Sequence, residues 1–377
     1  MAAAPDGAVR PGPEADPYRV MVVEDSLVIR GLIARILEAD PRIAVVTTVA
    51  NGKLAVDALE RHDVEVVVLD IEMPVMDGLT ALPLLMKADP HLQVIMASTL
   101  TRRNAEISLR AMAAGAADYI AKPTSSREVT GADEFKRELV AKVLAYGQRR
   151  RRSHPRPRSA ERPETVGRTV APPQRQAIVL RPPASSPVAA IGIGSSTGGP
   201  QALAKLVAGL DALRQPIFVT QHMPATFTAI FAEHLARATG VGCSEAVDGE
   251  PVRPGHVYIA PGGLHMTVGV RGGRMVIVLD DGPRENFCKP SVDPLFRSLA
   301  EVYRDRVLGV MLTGMGYDGA AGAKALVDAG STIVAQDEAS SVVWGMPGAV
   351  ARAGLCSAVL PLGEMARYIR EMAGAGR

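Results

Sequence analysis

Val66-Val67-Val68-Leu69-Asp70 is a short apolar run that ends in a carboxylate, and Met73-Pro74-Val75-Met76-Asp77-Gly78 follows closely. A β-branched run of this length, bounded by Pro and Gly, reads as a strand buried on both faces. Four similar runs flank it, and together they occupy residues 19–23, 43–49, 64–69, 93–97 and 118–121. Segments with helical spacing separate them. Five alternating β and α units predict a parallel sheet covered on both faces, in a small doubly wound α/β domain.

In such a sheet ligands bind at the carboxyl ends of the strands, so the residues that end each run are the candidate site. Glu24 and Asp25 end the first run and Asp70 the third. Three convergent carboxylates repel one another, and a divalent cation relieves that repulsion. An oxygen-only donor set with open positions suits Mg²⁺, which in turn offsets the charge of an incoming phosphoryl group. Ser98 and Lys122, the latter before Pro123, end the fourth and fifth runs and offer a hydroxyl and an ammonium to phosphoryl oxygens.

These residues, in this order at successive strand ends, resemble the receiver domain of two-component response regulators, a flavodoxin-like (βα)5 fold. The resemblance implies Asp70 as phosphoacceptor, with Glu24, Asp25 and the Glu72 carbonyl at the metal. It also implies a conformational switch formed by Ser98 and Tyr119, with Lys122 beside it. Glu24 stands where many members carry Asp.

The chain has 377 residues, 47% hydrophobic and 22% charged, which suits two globular domains rather than a disordered polymer. Residues 1–17 are rich in Ala, Pro and Gly, lack a secretory pattern, and are expected to be a flexible tail ahead of a receiver at 18–148. No apolar run nears the ~20 residues that span a bilayer, so a cytoplasmic protein without membrane insertion is expected. Net charge is +2, yet residues 149–187 carry 10 Arg, no Lys and 2 Glu, a local +8. The Arg149-Arg150-Arg151-Arg152 run and the prolines after it predict an extended linker. A nucleic-acid tail is the sharper alternative, but no aromatic residue is interleaved and no recognition helix adjoins. Cys243, Cys288 and Cys356 fit neither a disulfide framework nor a zinc spacing and read as buried or idle thiols.

A second α/β pattern fills residues 188–377, with strand-like runs at 188–193, 217–221, 257–260, 307–313, 332–335 and 358–360. Residues 268–270 and 275–279, joined through Arg271-Gly272-Gly273-Arg274, read as an antiparallel hairpin. Gly192-Ile193-Gly194-Ser195-Ser196-Thr197-Gly198-Gly199-Pro200 lies where a strand turns into a helix. As a dinucleotide loop it lacks the third glycine and the later acid. As a nucleophile turn, Gly194-x-Ser196-x-Gly198 exposes a serine at a helix N-terminus. His222 follows the next run and Asp318 a later one; His234, within a helical pattern, and His256, in a turn, are weaker candidates. Three strand ends thus offer Ser196, His222 and Asp318 as nucleophile, base and orienting acid. Backbone N–H groups around Thr197 and Met315 are the candidate oxyanion donors, a contribution of about 3–4 kcal/mol in such sites.

Ser196-Thr197-Gly198-Gly199, Gln221-His222-Met223-Pro224, Pro254-Gly255, Pro290-Ser291-Val292-Asp293, Leu312-Thr313-Gly314-Met315-Gly316, Asp318-Gly319 and Gly345-Met346-Pro347 resemble the effector domain of the chemotaxis protein-glutamate methylesterases. The resemblance implies hydrolysis of γ-glutamyl methyl esters on chemoreceptors to glutamate and methanol, often with deamidation of receptor glutamines. It further implies activation by a chemotaxis-type histidine kinase through the receiver, and no cofactor for ester hydrolysis. Tyr317 departs from the Asn common before the acid. A partner-binding output without catalysis would require an incomplete triad, and a DNA-binding regulator a recognition helix.

Overall fold

The computed structural model describes residues 16–122, 129–154 and 178–374. Most of the expected tail, Pro123 and the stretch 155–177 of the expected linker lie outside them. The chain divides into two compact units.

The first sheet is built from β1 (Tyr18–Val23), β2 (Ile43–Val49), β3 (Val66–Asp70), β4 (Gln93–Ser98) and β5 (Asp118–Ala121), in the order β2-β1-β3-β4-β5. The helices α1 (Leu27–Glu38), α2 (Gly52–Leu59), α3 (Gly78–Ala88) and α4 (Arg102–Ala113) alternate with the strands, and α5 (Val129–Ser153) follows. Side-chain caps start four of them: Ser26, Asn51, Asp77 and Thr101 each accept a backbone N–H three residues on. All five residues of β3 are buried, as a central parallel strand requires.

α5 runs past the expected domain limit at 148, so Arg149–Arg152 are helix rather than linker. The reason is burial of an acid. Glu65 is 2% exposed, and Arg151 grips it with Nε–Oε1 at 2.5 Å and Nη2–Oε2 at 2.7 Å. The same guanidinium lies 4.3 Å from the centre of the Tyr18 ring, and Arg150 pairs with Asp89 at 2.7 Å.

The second sheet has seven strands in the order β14-β13-β12-β6-β7-β9-β8. In chain order they are β6 (Ala190–Ser195), β7 (Ile217–Gln221), β8 (Cys243–Glu245), β9 (Val257–Ile259), β12 (Val307–Met311), β13 (Thr332–Gln336) and β14 (Ala358–Leu360), and every neighbouring pair is parallel. Between β9 and β12 come β10 (His265–Arg271) and β11 (Arg274–Asp280), a separate antiparallel hairpin whose turn glycines 272 and 273 both have positive φ. The helices are α6 (Gly199–Val207), α7 (Ala225–Thr239), α8 (Val292–Tyr303), α9 (Ala320–Asp328), α10 (Met346–Arg352) and α11 (Leu362–Met372). Phe218, Tyr258, Phe296, Leu299 and Met311 are among the fully buried side chains of the core.

Strand order fixes where the site sits. From β6 the chain builds outward through β7, then returns to lay β12 on the other side of β6. The ends of β12, β6 and β7 therefore flank the topological switch point, where open α/β sheets bind ligands. The end of the expected linker is also tied down, since Arg181 N donates to Cys356 O at 2.9 Å and Ala184 N to Thr332 Oγ1 at 2.8 Å. Among the described residues no helix is long and apolar enough to cross a membrane.

Arg151→Ala leaves the buried Glu65 without its two guanidinium hydrogen bonds, and a loss of about 1–3 kcal/mol is expected. Calorimetry of the full chain should lower the melting of the first domain and leave the second unchanged. An unaltered first transition would refute the anchoring role.

Candidate active site and receiver pocket

Ser196 begins the turn after β6, and Gly198, with φ of 75°, carries the chain into α6. A Cβ at Gly198 would lie 2.5 Å from Val342 Cγ2, so both conformation and space demand glycine there. Two adjacent serines compete for the nucleophile role, and their surroundings separate them. Ser195 is fully buried and donates to Gln221 Oε1 at 2.7 Å. Ser196 is half-buried, and among the described residues no protein group hydrogen-bonds with its Oγ. Gln221 then clamps the turn, with Nε2 donating at 3.0 Å to both Ser196 O and His222 O.

His222 follows β7, and its backbone N–H reaches Ser195 O at 3.1 Å. Its Nε2 lies 2.8 Å from Asp318 Oδ2. Asp318 is 2% exposed and accepts three further bonds: Ser291 Oγ and Asn286 Nδ2 to Oδ1 at 2.6 and 2.9 Å, and Val292 N to Oδ2 at 2.7 Å. Tyr317 takes no part in this set, which is why a departure at that position leaves the acid held. Burial disfavours the His222 imidazolium, but the bonds to Asp318 and Cys288 outweigh it and raise the histidine above its usual 6.5. Burial likewise opposes ionisation of Asp318, and the His222 contact, Ser291 and the Val292 N–H overcome it, so the carboxyl sits below its usual value.

The structure brings base and acid together but forms no hydrogen bond between Ser196 Oγ and His222 among the described residues. Such bonds are often long before substrate binds. Gly314 packs against the serine: a Cβ there would lie 2.9 Å from Ser196 Cβ. Among the described residues the N–H groups of Thr197 and of Met315, next to Gly314, donate to no protein group, which leaves both available to an oxyanion. His234 lies within α7, and His256 is engaged with Ser244 Oγ at 2.8 Å.

Cys288, expected to be idle, instead has its Sγ 3.5 Å from His222 Nδ1. Asn286, Cys288 and the serine at 291 were not recognisable as site residues by spacing. Only the Pro290-Ser291-Val292-Asp293 motif pointed at this loop. Asn286 also donates to Asp293 Oδ2 at 2.7 Å and so bridges two carboxylates. Burial, with the nearby Asp318 charge, raises Asp293.

In the first sheet, carboxylate oxygens of Glu24, Asp25 and Asp70 lie within 4.8 Å of one another at the ends of β1 and β3. Glu24 and Asp70 are 1% and 5% exposed while Asp25 is open, an oxygen-only set that fits Mg²⁺ with room for water and phosphoryl oxygens. Glu72 follows β3 by two residues, at the same edge. Ser98 ends β4, fully buried, its Oγ without a hydrogen-bond partner among the described residues. Lys122 follows β5, its backbone N–H 2.7 Å from Ser98 O, and Tyr119 lies buried within β5.

Comparison with known proteins assigns a family to each of the two domains. The family described as CheB methylesterase matches residues 191–369, and the response regulator receiver domain matches residues 20–132. A protein-glutamate methylesterase/protein-glutamine glutaminase of Azospirillum brasilense is 55% identical, covering 98% of each chain. One of a group 2 operon in Rhodospirillum centenum is 53% identical over 96% of each. The crystal structure of the Thermotoga maritima CheB methylesterase catalytic domain has 38% identity, covers 50% of this chain and all of that one, and gives a TM-score of 0.48. With a receiver domain ahead of a methylesterase domain, and relatives this similar along nearly its whole length, the chain belongs to the protein-glutamate methylesterase/protein-glutamine glutaminase family.

Proposed function

We propose that this chain is a phosphorylation-activated hydrolase of γ-glutamyl methyl esters on the cytoplasmic domains of chemoreceptors, and that it also deamidates selected receptor glutamines. The observation that carries the reading is the buried His222–Asp318 pair beside the Ser196 turn at the switch point. Ser196 Oγ attacks the ester carbonyl while the free nitrogen of His222 takes its proton. The N–H groups of Thr197 and Met315 hold the oxyanion. Protonation by His222 releases methanol, or ammonia from a glutamine, and leaves an acyl-Ser196. His222 then activates water, which frees the glutamate and restores the serine. Asp318 stays ionised throughout and orients the imidazole.

The receiver extends from residue 18 through α5 and the catalytic domain from residue 188. Glu24, Asp25, Asp70 and the Glu72 carbonyl would hold Mg²⁺, which offsets negative charge as a phosphoryl group arrives at Asp70. Lys122 and Ser98 would bind phosphoryl oxygens, with Tyr119 responding as the second switch residue. A chemotaxis-type histidine kinase is the phosphodonor, the cytoplasm the place of action, and chemotaxis or a related chemosensory pathway the output. Nucleic acid has no role in this reading, because Arg150 and Arg151 are engaged with Asp89 and Glu65.

Methanol release from methylated receptor fragments tests the chemistry. Ser196→Ala should reduce it at least about 10³-fold, and an unreduced rate would exclude the serine mechanism. Asp70→Asn should abolish stimulation by a small phosphodonor with Mg²⁺; stimulation equal to wild type would remove Asp70 as the acceptor.

Neutral His222 is the active base, so kcat/KM should rise with pH through a midpoint above 6.5, the value from which His222 is raised. Asp318→Asn should shift that midpoint down and lower kcat by about 10²- to 10⁴-fold. A midpoint that does not move would dissociate the limb from the His222–Asp318 pair.

A further inference from the structure

Cys288 stands at the catalytic histidine without a place in the mechanism. It occupies the last position of the tight turn Glu285-Asn286-Phe287-Cys288, closed by Glu285 N to Cys288 O at 3.1 Å and Cys288 N to Glu285 O at 2.8 Å. The two central residues have φ of 51° and 66°, and Asn286 is pinned to Asp293 and Asp318. Glu285 is held in turn by a two-point contact with Arg297 at 2.6 and 3.0 Å. The turn therefore fixes the Cys288 sulfur where it is, 3.5 Å from His222 Nδ1.

That separation matches a metal chelate. Zinc binds sulfur at about 2.3 Å and imidazole nitrogen at about 2.0–2.1 Å, which at a tetrahedral angle sets the two donors about 3.6 Å apart. The other imidazole nitrogen, Nε2, already faces Asp318 Oδ2 at 2.8 Å. A carboxylate accepting the second ring N–H is the arrangement that orients and strengthens a metal-binding histidine. Donor atoms of His222, Cys288 and Asp318 all lie within 4.8 Å of one another. The thiol and imidazole are both partly exposed, so an ion can reach them from solvent.

We propose that Cys288 Sγ and His222 Nδ1 form a binding site for a thiophilic divalent cation of the zinc type, and that its occupancy switches the hydrolase off. Binding forms metal–sulfur and metal–nitrogen bonds, and the thiol proton, with the Nδ1 proton of any imidazolium, leaves to solvent. The cation takes the lone pair that the serine proton needs. The inhibitory part rests on the reading of His222 as base; the site itself does not.

Co²⁺ and Zn²⁺ are the probes, added to the full chain with Mg²⁺ present. Co²⁺ should give a thiolate-to-metal absorption band that Zn²⁺ displaces, and methanol release should fall in step with Zn²⁺ saturation and return with a chelator. Cys288→Ser and Cys288→Ala should both lose the band and weaken Zn²⁺ binding at least about tenfold. A missing band, or one that persists in both variants, overturns the site. Saturation by Zn²⁺ with undiminished hydrolysis overturns the inhibitory role. If the metal-free enzyme shows no Ser196-dependent methanol release, the proposed function fails, while the band still decides the site.

Discussion

The carboxylate of Asp318 is the constraint around which the catalytic edge is arranged. It is ionised at 2% exposure, and an uncompensated charge at such a position costs several kcal/mol. Compensation is complete: each oxygen accepts two bonds, Oδ1 from Ser291 and Asn286, Oδ2 from Val292 N and His222. A carboxylate has about four acceptor sites, so this one is saturated. It has no freedom to follow a rotating imidazole, and the ring plane of His222 is consequently fixed from the acid outward. The cost is carried by the backbone of the 285–288 turn, where Asn286 and Phe287 adopt positive φ so that one amide can reach both Asp293 and Asp318.

The sheet order makes this arrangement possible. Ser196, His222 and Asp318 end or follow three strands that are immediate neighbours, β6, β7 and β12, although β12 comes much later in the chain. Parallel strands deliver all their carboxyl ends to one edge, so three short excursions suffice and no long loop has to be ordered. Gln221 ties β6 to β7 at that edge, and Thr313 ties the β12 end to the serine turn by donating to Thr197 O at 2.9 Å. The same geometry, with its own reversal of strand order between β1 and β3, gathers Glu24, Asp25 and Asp70 in the first sheet.

Strand cores and strand ends were legible because both follow local rules: apolar runs predict burial, and the next polar residue predicts the edge. The Gly194-x-Ser196-x-Gly198 spacing singled out Ser196 over Ser195, but the contact that occupies Ser195, its bond to Gln221, was not legible in the sequence. The arginine run was misread for a related reason. Its composition suggests solvation, but Arg151 is held by Glu65, a distant residue with no pattern linking the two. β8, Cys243-Ser244-Glu245, lacks the apolar run that marks β9 and β14, strands of the same length. The turn at 285–288 carries the most hidden information, because its roles depend on where the chain returns, not on its own spacing.

The two nitrogens of His222 face different partners, Asp318 and Cys288, and this bears on the base role proposed for it. Nε2 is committed to a saturated acid, so Nδ1 is the nitrogen left for the serine proton in the proposed mechanism. The Cys288 contact, at 3.5 Å, adds to the Asp318 bond in raising His222, although sulfur is a weaker hydrogen-bonding partner than the carboxylate. In the proposed mechanism Ser196 Oγ has to take the place of the thiol at Nδ1 when substrate binds. A metal at the proposed site would change that balance, since coordination engages the same two atoms more strongly than the thiol contact does. One imidazole, held from behind by Asp318, thus presents the same Nδ1 to both proposed roles, proton transfer and chelation, and on that reading what occupies the Cys288 side decides between them.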